Sequence, residues 1–239
     1  MVERFAGKVA FVTGGTGALG RVVAEALYGE GARLVITYIL DKEFTSSPGK
    51  LRNDKGKVVF IRADVTNEQE VASAFEKTVQ VFGTVDYLLN IAGGYMAKTP
   101  IAELEVKDWD HMLDMNLKSA FLCSRSALRI MQERGTGRII NISAMAGLNP
   151  SAGRGAYGIS KAAVVVLTQI IADEVKGTGI TANAIAPSIL ATQANIRSSP
   201  GEDYSKWVQP TEIAELIRYL CSDAARSVNG AVINVHGGI

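Results

Sequence analysis

VAFVTGGTGALG, residues 9–20, decides how the chain is built. Val9–Thr13 is a short apolar run rich in valine, the pattern of a strand covered on both faces of a sheet. Glycines at 14, 15, 17 and 20 then let the backbone turn tightly and begin a helix close to that sheet. Gly15-x-Gly17-x-x-Gly20 has the spacing of a phosphate-cradling turn, in its proper strand-to-helix setting. The free N–H groups of that helix start and its dipole favour a pyrophosphate.

Six further apolar runs follow: Leu34–Tyr38, Val58–Ile61, Tyr87–Asn90, Arg138–Ile142, Thr181–Ile185 and Ala231–Val235. Between them lie helical patterns, clearest at Gly17–Gly29, Glu68–Phe82, Trp109–Met131, Tyr157–Val175 and Thr211–Cys221. Strands alternating with crossover helices predict an α/β chain with a central, mainly parallel, doubly wound sheet. At 239 residues it is expected to form a single domain, residues 1–239. Two stretches break the regularity. TSSPG at Thr45–Gly49 should stop or deform the helix after the second strand. Ser188–Pro210 reads either as a surface connection or as a substrate lid, placed just beyond a strand's carboxyl end.

A formal net charge of +1 gives no reason to expect nucleic acid or an anionic membrane as the main partner. The N-terminus, MVERFAGKVAFVTGG, does not read as a signal peptide, and no run approaches about 18 uninterrupted apolar residues. Cys123 and Cys221 have neither disulfide nor metal-ligand spacing and suit a reducing interior. Cytoplasm is the expected compartment.

SAMAGLNPSAGRGAYGISK, Ser143–Lys161, carries the chemistry. Tyr157 and Lys161 stand four apart, on one face of a helix, with Ser143 ending an apolar run upstream. An ammonium beside a phenol favours phenolate and can poise it for proton transfer. His111 and His236 have no comparable support, and no metal-binding cluster is expected.

With these motifs in this order, the chain resembles the short-chain dehydrogenase/reductase family over nearly its whole length. The resemblance implies a Rossmann-type three-layer domain. TGxxGxxG fits Thr13, Gly14, Gly17 and Gly20, whereas the usual short form would need glycine where Ala18 stands. Asp64-Val65 resembles the pair that holds adenine; Asn90-Ile91-Ala92-Gly93 resembles the NNAG motif, with Ile91 for its second asparagine. Pro187-Ser188 resembles the segment near nicotinamide, and Ile189 and Thr192 match positions contacting its carboxamide. Together with Thr16, Leu19, Tyr38, Tyr157 and Lys161, these are the cofactor contacts the resemblance implies.

The same resemblance makes Asn116, Ser143, Tyr157 and Lys161 the catalytic set. Tyr157 would exchange a proton with the substrate oxygen and Ser143 would hydrogen-bond that oxygen. Lys161 would lower the Tyr157 pKa, and Asn116 would anchor a water. The cofactor is NAD(H) or NADP(H). Thr37-Tyr38-Ile39 lacks the carboxylate that repels a 2′-phosphate, so the balance leans to NADP(H), with Lys42 within reach of a phosphate. A partly apolar ketone or secondary alcohol is the expected substrate, with Met96, Met145, Leu148, Tyr204 and Trp207 as wall residues and Arg154 for an anionic group. The flavour is that of beta-ketoacyl-carrier-protein reductases, on a scaffold shared with sugar, polyol and steroid dehydrogenases. A non-catalytic cofactor-binding regulator is the reading of another class. The apolar stretch Ala162–Ala172 and family habit imply a homotetramer, otherwise a homodimer.

Overall fold

A computed structural model describes residues 3–238; residues 1, 2 and 239 of the expected 1–239 domain lie outside the described residues. Seven parallel strands form one sheet in the order β3-β2-β1-β4-β5-β6-β7. They are β1 (Val9–Thr13), β2 (Arg33–Tyr38), β3 (Val58–Arg62), β4 (Tyr87–Asn90), β5 (Thr136–Ile142), β6 (Gly179–Pro187) and β7 (Val232–Val235). The helices are α1 (Ala18–Gly29), α2 (Asp41–Thr45), α3 (Gly49–Asn53), α4 (Glu68–Phe82), α5 (Val106–Leu113), α6 (Ser119–Arg134), α7 (Met145–Leu148), α8 (Gly155–Glu174), α9 (Gln193–Ser198) and α10 (Pro210–Cys221). Every strand expected from the sequence is present, within two residues at each boundary.

The alternation of strand side chains builds the three layers. Ala10, Val12, Leu34, Ile36 and Leu89 pack against Val23 and Leu27 of α1 and Ile213 and Ile217 of α10. Their neighbours Phe11, Val35, Leu88 and Ile139 face the other way, onto Val71 and Phe75 of α4, Leu122 of α6 and Ile171 of α8. Phe11 and Phe75 stack with ring centroids 4.2 Å apart. Both faces of the sheet are therefore covered, which is why its strands read as unbroken apolar runs.

The sequence at 45–49 breaks the crossover as expected: α2 ends at Thr45 and α3 restarts at Gly49, with Pro48 as its N-cap. The long helical pattern 109–131 is instead three pieces. α5 ends at Leu113, a π-helical turn spans Asp114–Lys118, and α6 begins at Ser119. α8 alone among the described residues is long and apolar enough to cross a bilayer, yet half of it is buried inside the protein. It is a core helix.

β1 and β4 are neighbours, and their chains leave the sheet in opposite directions. This is the topological switch point, where open α/β sheets form a crevice at the carboxyl ends of their strands. Thr13 ties the two strand ends together: its hydroxyl accepts from the amides of Ile91 and Ala92, both at 3.0 Å. Behind it runs a buried polar ladder. Asn90 Nδ2 donates to Asn141 Oδ1 (2.7 Å) and Ser124 Oγ (3.1 Å), and Asn141 Nδ2 donates to Thr168 Oγ1 (2.8 Å). Truncating Asn90 leaves Asn141 Oδ1 buried without a donor, a loss of about 1–3 kcal/mol. Asn90→Ala is accordingly expected to unfold at lower denaturant, and a midpoint equal to wild type would contradict this role.

Candidate active site

A cleft of about 660 Å³ opens along the carboxyl ends of the central strands. Its floor at one end is the glycine turn. Gly14 has φ +61°, and a Cβ there would come within 2.9 Å of the Ala92 backbone, so the β1 turn can approach β4 only with glycine. A Cβ on Gly20 would run into the Gly14 carbonyl. Gly17 caps α1 without a side-chain hydrogen bond, leaving the first-turn amides to a ligand. Gly14, Thr16, Gly17, Leu19 and Gly20 all line the cleft.

Farther along this end stand Thr37, Tyr38, Ile39, Asp64 and Val65. One Asp64 oxygen is engaged by the Thr66 amide (2.9 Å) and hydroxyl (2.8 Å). Tyr38 stacks on Phe44, with centroids 5.7 Å apart. Glu43 also reaches this wall, a residue that sequence spacing gave no reason to select.

The other end gathers Ala92, Gly93, Ser143, Tyr157, Lys161 and Pro187. Ser143 is set at the end of β5, where its amide donates to the Ile185 carbonyl of β6 (2.8 Å), and its hydroxyl donates to the Lys161 carbonyl (2.7 Å). Tyr157 and Lys161 share the inward face of α8. Lys161 is only 6% exposed, and its Nζ donates to the Ile142 carbonyl (2.9 Å). Asn116 sits in the π turn, a common device for re-aiming a helical side chain at a functional site. Its Oδ1 accepts from the Gly94 amide (2.9 Å), and its Nδ2 donates to the Gly94 carbonyl (3.1 Å) and Ser160 Oγ (3.0 Å). A Cβ on Gly93 would lie 2.7 Å from Asn116 Oδ1 and 3.2 Å from Lys161 Nζ, so glycine there lets these two groups close on the strand end.

The electrostatics differ from the expectation that Lys161 lowers the Tyr157 pKa. Burial raises Tyr157 above the ordinary phenol value; the Arg154 guanidinium pulls it back down, and Tyr95 adds to the rise. Lys161 itself is pushed down to about 8 by burial. Its ammonium faces a carbonyl and has no carboxylate partner among the described residues. Arg154 packs over the Tyr95 ring at 5.8 Å, and Tyr95 meets the Tyr157 ring edge-on at 5.2 Å.

Several residues expected as contacts do not line the cleft. Asn90 is buried behind the cleft, its amide nitrogen spent on the polar ladder. Ile189 is 40% exposed and does not line the cleft, and the Thr192 hydroxyl caps α9 by accepting from the Asn195 amide (3.2 Å). Leu190 and Asn195 line the cleft in their place. Trp207 is 3% exposed and packs edge-on to Tyr204 at 4.9 Å, so its ring fills the base of the 188–210 segment and is not a wall of the cleft. Met96, Met145, Leu148 and Tyr204 are likewise not wall residues; Tyr95, Met115 and Ala144 are. His111 does reach the wall, carried there by the end of α5.

The family model for short chain dehydrogenases matches residues 8–203. The chain is a short-chain dehydrogenase/reductase. It is 35% identical to a short-chain type dehydrogenase/reductase of Picea abies, over 97% of this chain and 92% of the relative. To a 3-oxoacyl-[acyl-carrier-protein] reductase of Synechocystis it is 32% identical, over 97% and 96%. The fold superimposes on an NAD+-bound xylitol dehydrogenase with TM-score 0.89 (26% identity, 98% of this chain and 100% of the other). It also superimposes on ElxO with NADP bound, with TM-score 0.89 (28% identity, 97% and 98%). As a short-chain dehydrogenase/reductase it binds NAD(H) or NADP(H). The residues present fit that group: an uncapped helix start, a glycine floor that any Cβ would obstruct, and a cleft within the range of small-molecule sites.

Burial of Lys161 has a measurable consequence. Its charge is disfavoured in the folded chain, at a cost on the order of 3 kcal/mol that is fully present below pH about 8. The cost fades as pH rises toward the ordinary value of 10.5, where the unfolded chain also gives up its proton. Without cofactor, the melting temperature of Lys161→Met relative to wild type should therefore rise between pH 10 and pH 7. The lost bond to the Ile142 carbonyl weighs on the variant at both pH values, while the charge cost weighs on wild type only at the lower one. Thermal melts at both pH values check it; a difference that does not change between them would refute it.

Proposed function

We propose that this short-chain dehydrogenase/reductase interconverts a ketone and a secondary alcohol, with Tyr157 as the general acid and base. The observation that carries this reading is the convergence of Tyr157, Ser143 and Lys161 on one end of the dinucleotide cleft. A bound nicotinamide would supply or accept the hydride. In reduction, Tyr157 gives its phenolic proton to the carbonyl oxygen; in oxidation it takes the hydroxyl proton back. Its raised pKa keeps it protonated before reduction begins. The Ser143 hydroxyl turns from the Lys161 carbonyl to the substrate oxygen, where charge changes during reaction. Asn116 holds the Gly94 peptide by both its N–H and its C=O, and so positions the strand end against which Lys161 packs.

The walls beside Tyr157 are mainly apolar or small: Ile142, Ala144, Leu190, Met115 and the Tyr95 ring. They suit a substrate with an apolar body next to its carbonyl. A β-ketoacyl group on acyl carrier protein is the narrower form of this reading. A panel of ketones, secondary alcohols and β-ketoacyl thioesters, assayed with both cofactors, tests it; no turnover with any of them would overturn it. Tyr157→Phe should keep the fold and cofactor affinity while losing at least about a hundredfold in turnover. Near-normal turnover in that variant would end the mechanism.

The assembly we propose is a homotetramer built on two-fold contacts. Ile159, Val166 and Ile170 project from α8 at 47–54% exposure, and Phe121 projects from α6 at 42%. An apolar stripe of this kind on a core helix is covered economically by its own symmetry mate. The compartment we propose is the cytoplasm, whose reducing interior suits the free, buried thiols of Cys123 and Cys221. Mass-calibrated light scattering across dilution should show four chains, or two at the lowest concentrations. A purely monomeric active species at micromolar concentration would defeat the assembly.

A further inference from the structure

We propose that Glu43 sets the dinucleotide preference and makes the chain select NAD(H) over NADP(H). The inference rests on the dinucleotide cleft described above and reverses the expectation drawn from position 38. Glu43 lies in α2, five residues past the end of β2, yet the short helix folds its carboxylate back onto the strand end. One oxygen, Oε2, accepts from the amides of both Ile39 (3.1 Å) and Leu40 (3.0 Å). The side chain lines the cleft beside Thr37, Tyr38 and Ile39.

Three features make this end unsuited to a 2′-phosphate. The carboxylate is negative and has no cationic partner within 4.0 Å among the described residues. Two backbone amides that could hold an anion there are already taken by Glu43 itself. Among the residues that line the cleft, Lys161 is the only lysine or arginine, and it belongs to the reactive end. Lys42 is not a wall residue, and Arg62 directs its Nε to the Ile39 carbonyl at 3.0 Å. A phosphate would meet a like charge with no lysine or arginine lining this end of the cleft, the nearby Arg62 directing its Nε to a main-chain carbonyl, whereas a ribose hydroxyl can donate to the carboxylate. Glu43 would thus supply from the following helix the carboxylate missing at position 38.

The experiment is a binding titration, which needs no turnover. Cofactor-free protein is titrated with NADH and with NADPH, following nicotinamide fluorescence, for wild type and Glu43→Gln. Wild type should bind NADH at least about tenfold more tightly, a difference of about 1.4 kcal/mol. Glutamine keeps an oxygen for the two amides but removes the charge, so the ratio of the two dissociation constants should move about tenfold toward NADPH. Equal wild-type affinities, a preference for NADPH, or an unchanged ratio in a Glu43→Gln protein that melts like wild type would each overturn the assignment. Those outcomes leave the oxidoreductase reading intact. Failure to bind either dinucleotide would remove both.

Discussion

The close approach of two strand ends at the switch point is the constraint on which the rest depends. β1 and β4 must lie side by side while their chains depart to opposite faces, and the crevice between the departing chains is the cleft. Gly14 permits the approach by having no Cβ to strike Ala92, and the Thr13 hydroxyl secures it by taking two amides of the opposing strand end. The Ala92 N–H there would otherwise lack an acceptor, whereas the Ile91 N–H also reaches the Leu89 carbonyl at 3.1 Å. One small hydroxyl and one missing methyl group thus define the floor on which a dinucleotide would rest.

From that floor the polar interior extends to the reactive end. Asn90, Asn141 and Thr168 link β4, β5 and α8 through hydrogen bonds that only a single register satisfies. Asn116 continues the coupling by gripping the Gly94 peptide from the π turn. Buried polar groups of this kind add little net stability when satisfied and cost much when not. Their value here is positional, since they hold α8 and the β4 end in one relation and hence Tyr157 and Lys161 over the cleft. Lys161 is the opposite case: a charge placed in the interior at a cost to stability, of the kind associated with functional sites.

The electrostatic setting of Tyr157 shows how far a motif reaches. Four-residue spacing puts an ammonium near the phenol, and from spacing alone that ammonium ought to depress its pKa. In the folded chain Lys161 turns toward the Ile142 carbonyl, and the charge acting on Tyr157 is that of Arg154, three residues upstream. Tyr95, brought from the loop after β4, lies between the two. Three-residue spacing at the start of α8 connects Arg154 to Tyr157, but no spacing rule brings in Tyr95; packing does.

What the sequence determined by itself was everything that local pattern encodes. The valine-rich runs are strands because both faces are buried, the glycine spacing is a turn into a helix, and TSSPG breaks a helix where Pro48 stands. Ser143, Tyr157 and Lys161 share the cleft because strand-end and four-residue helical periodicity are themselves geometric statements. Tertiary structure alone decided which side chains at the right distance along the chain also face the right way. It buried Asn90 and Trp207, left Ile189 off the cleft wall, split the 109–131 helix with a π turn, and carried His111 and Glu43 to that wall. Those outcomes depend on how separate elements pack, and the direction of a side chain outside a regular repeat is not written in the residues beside it.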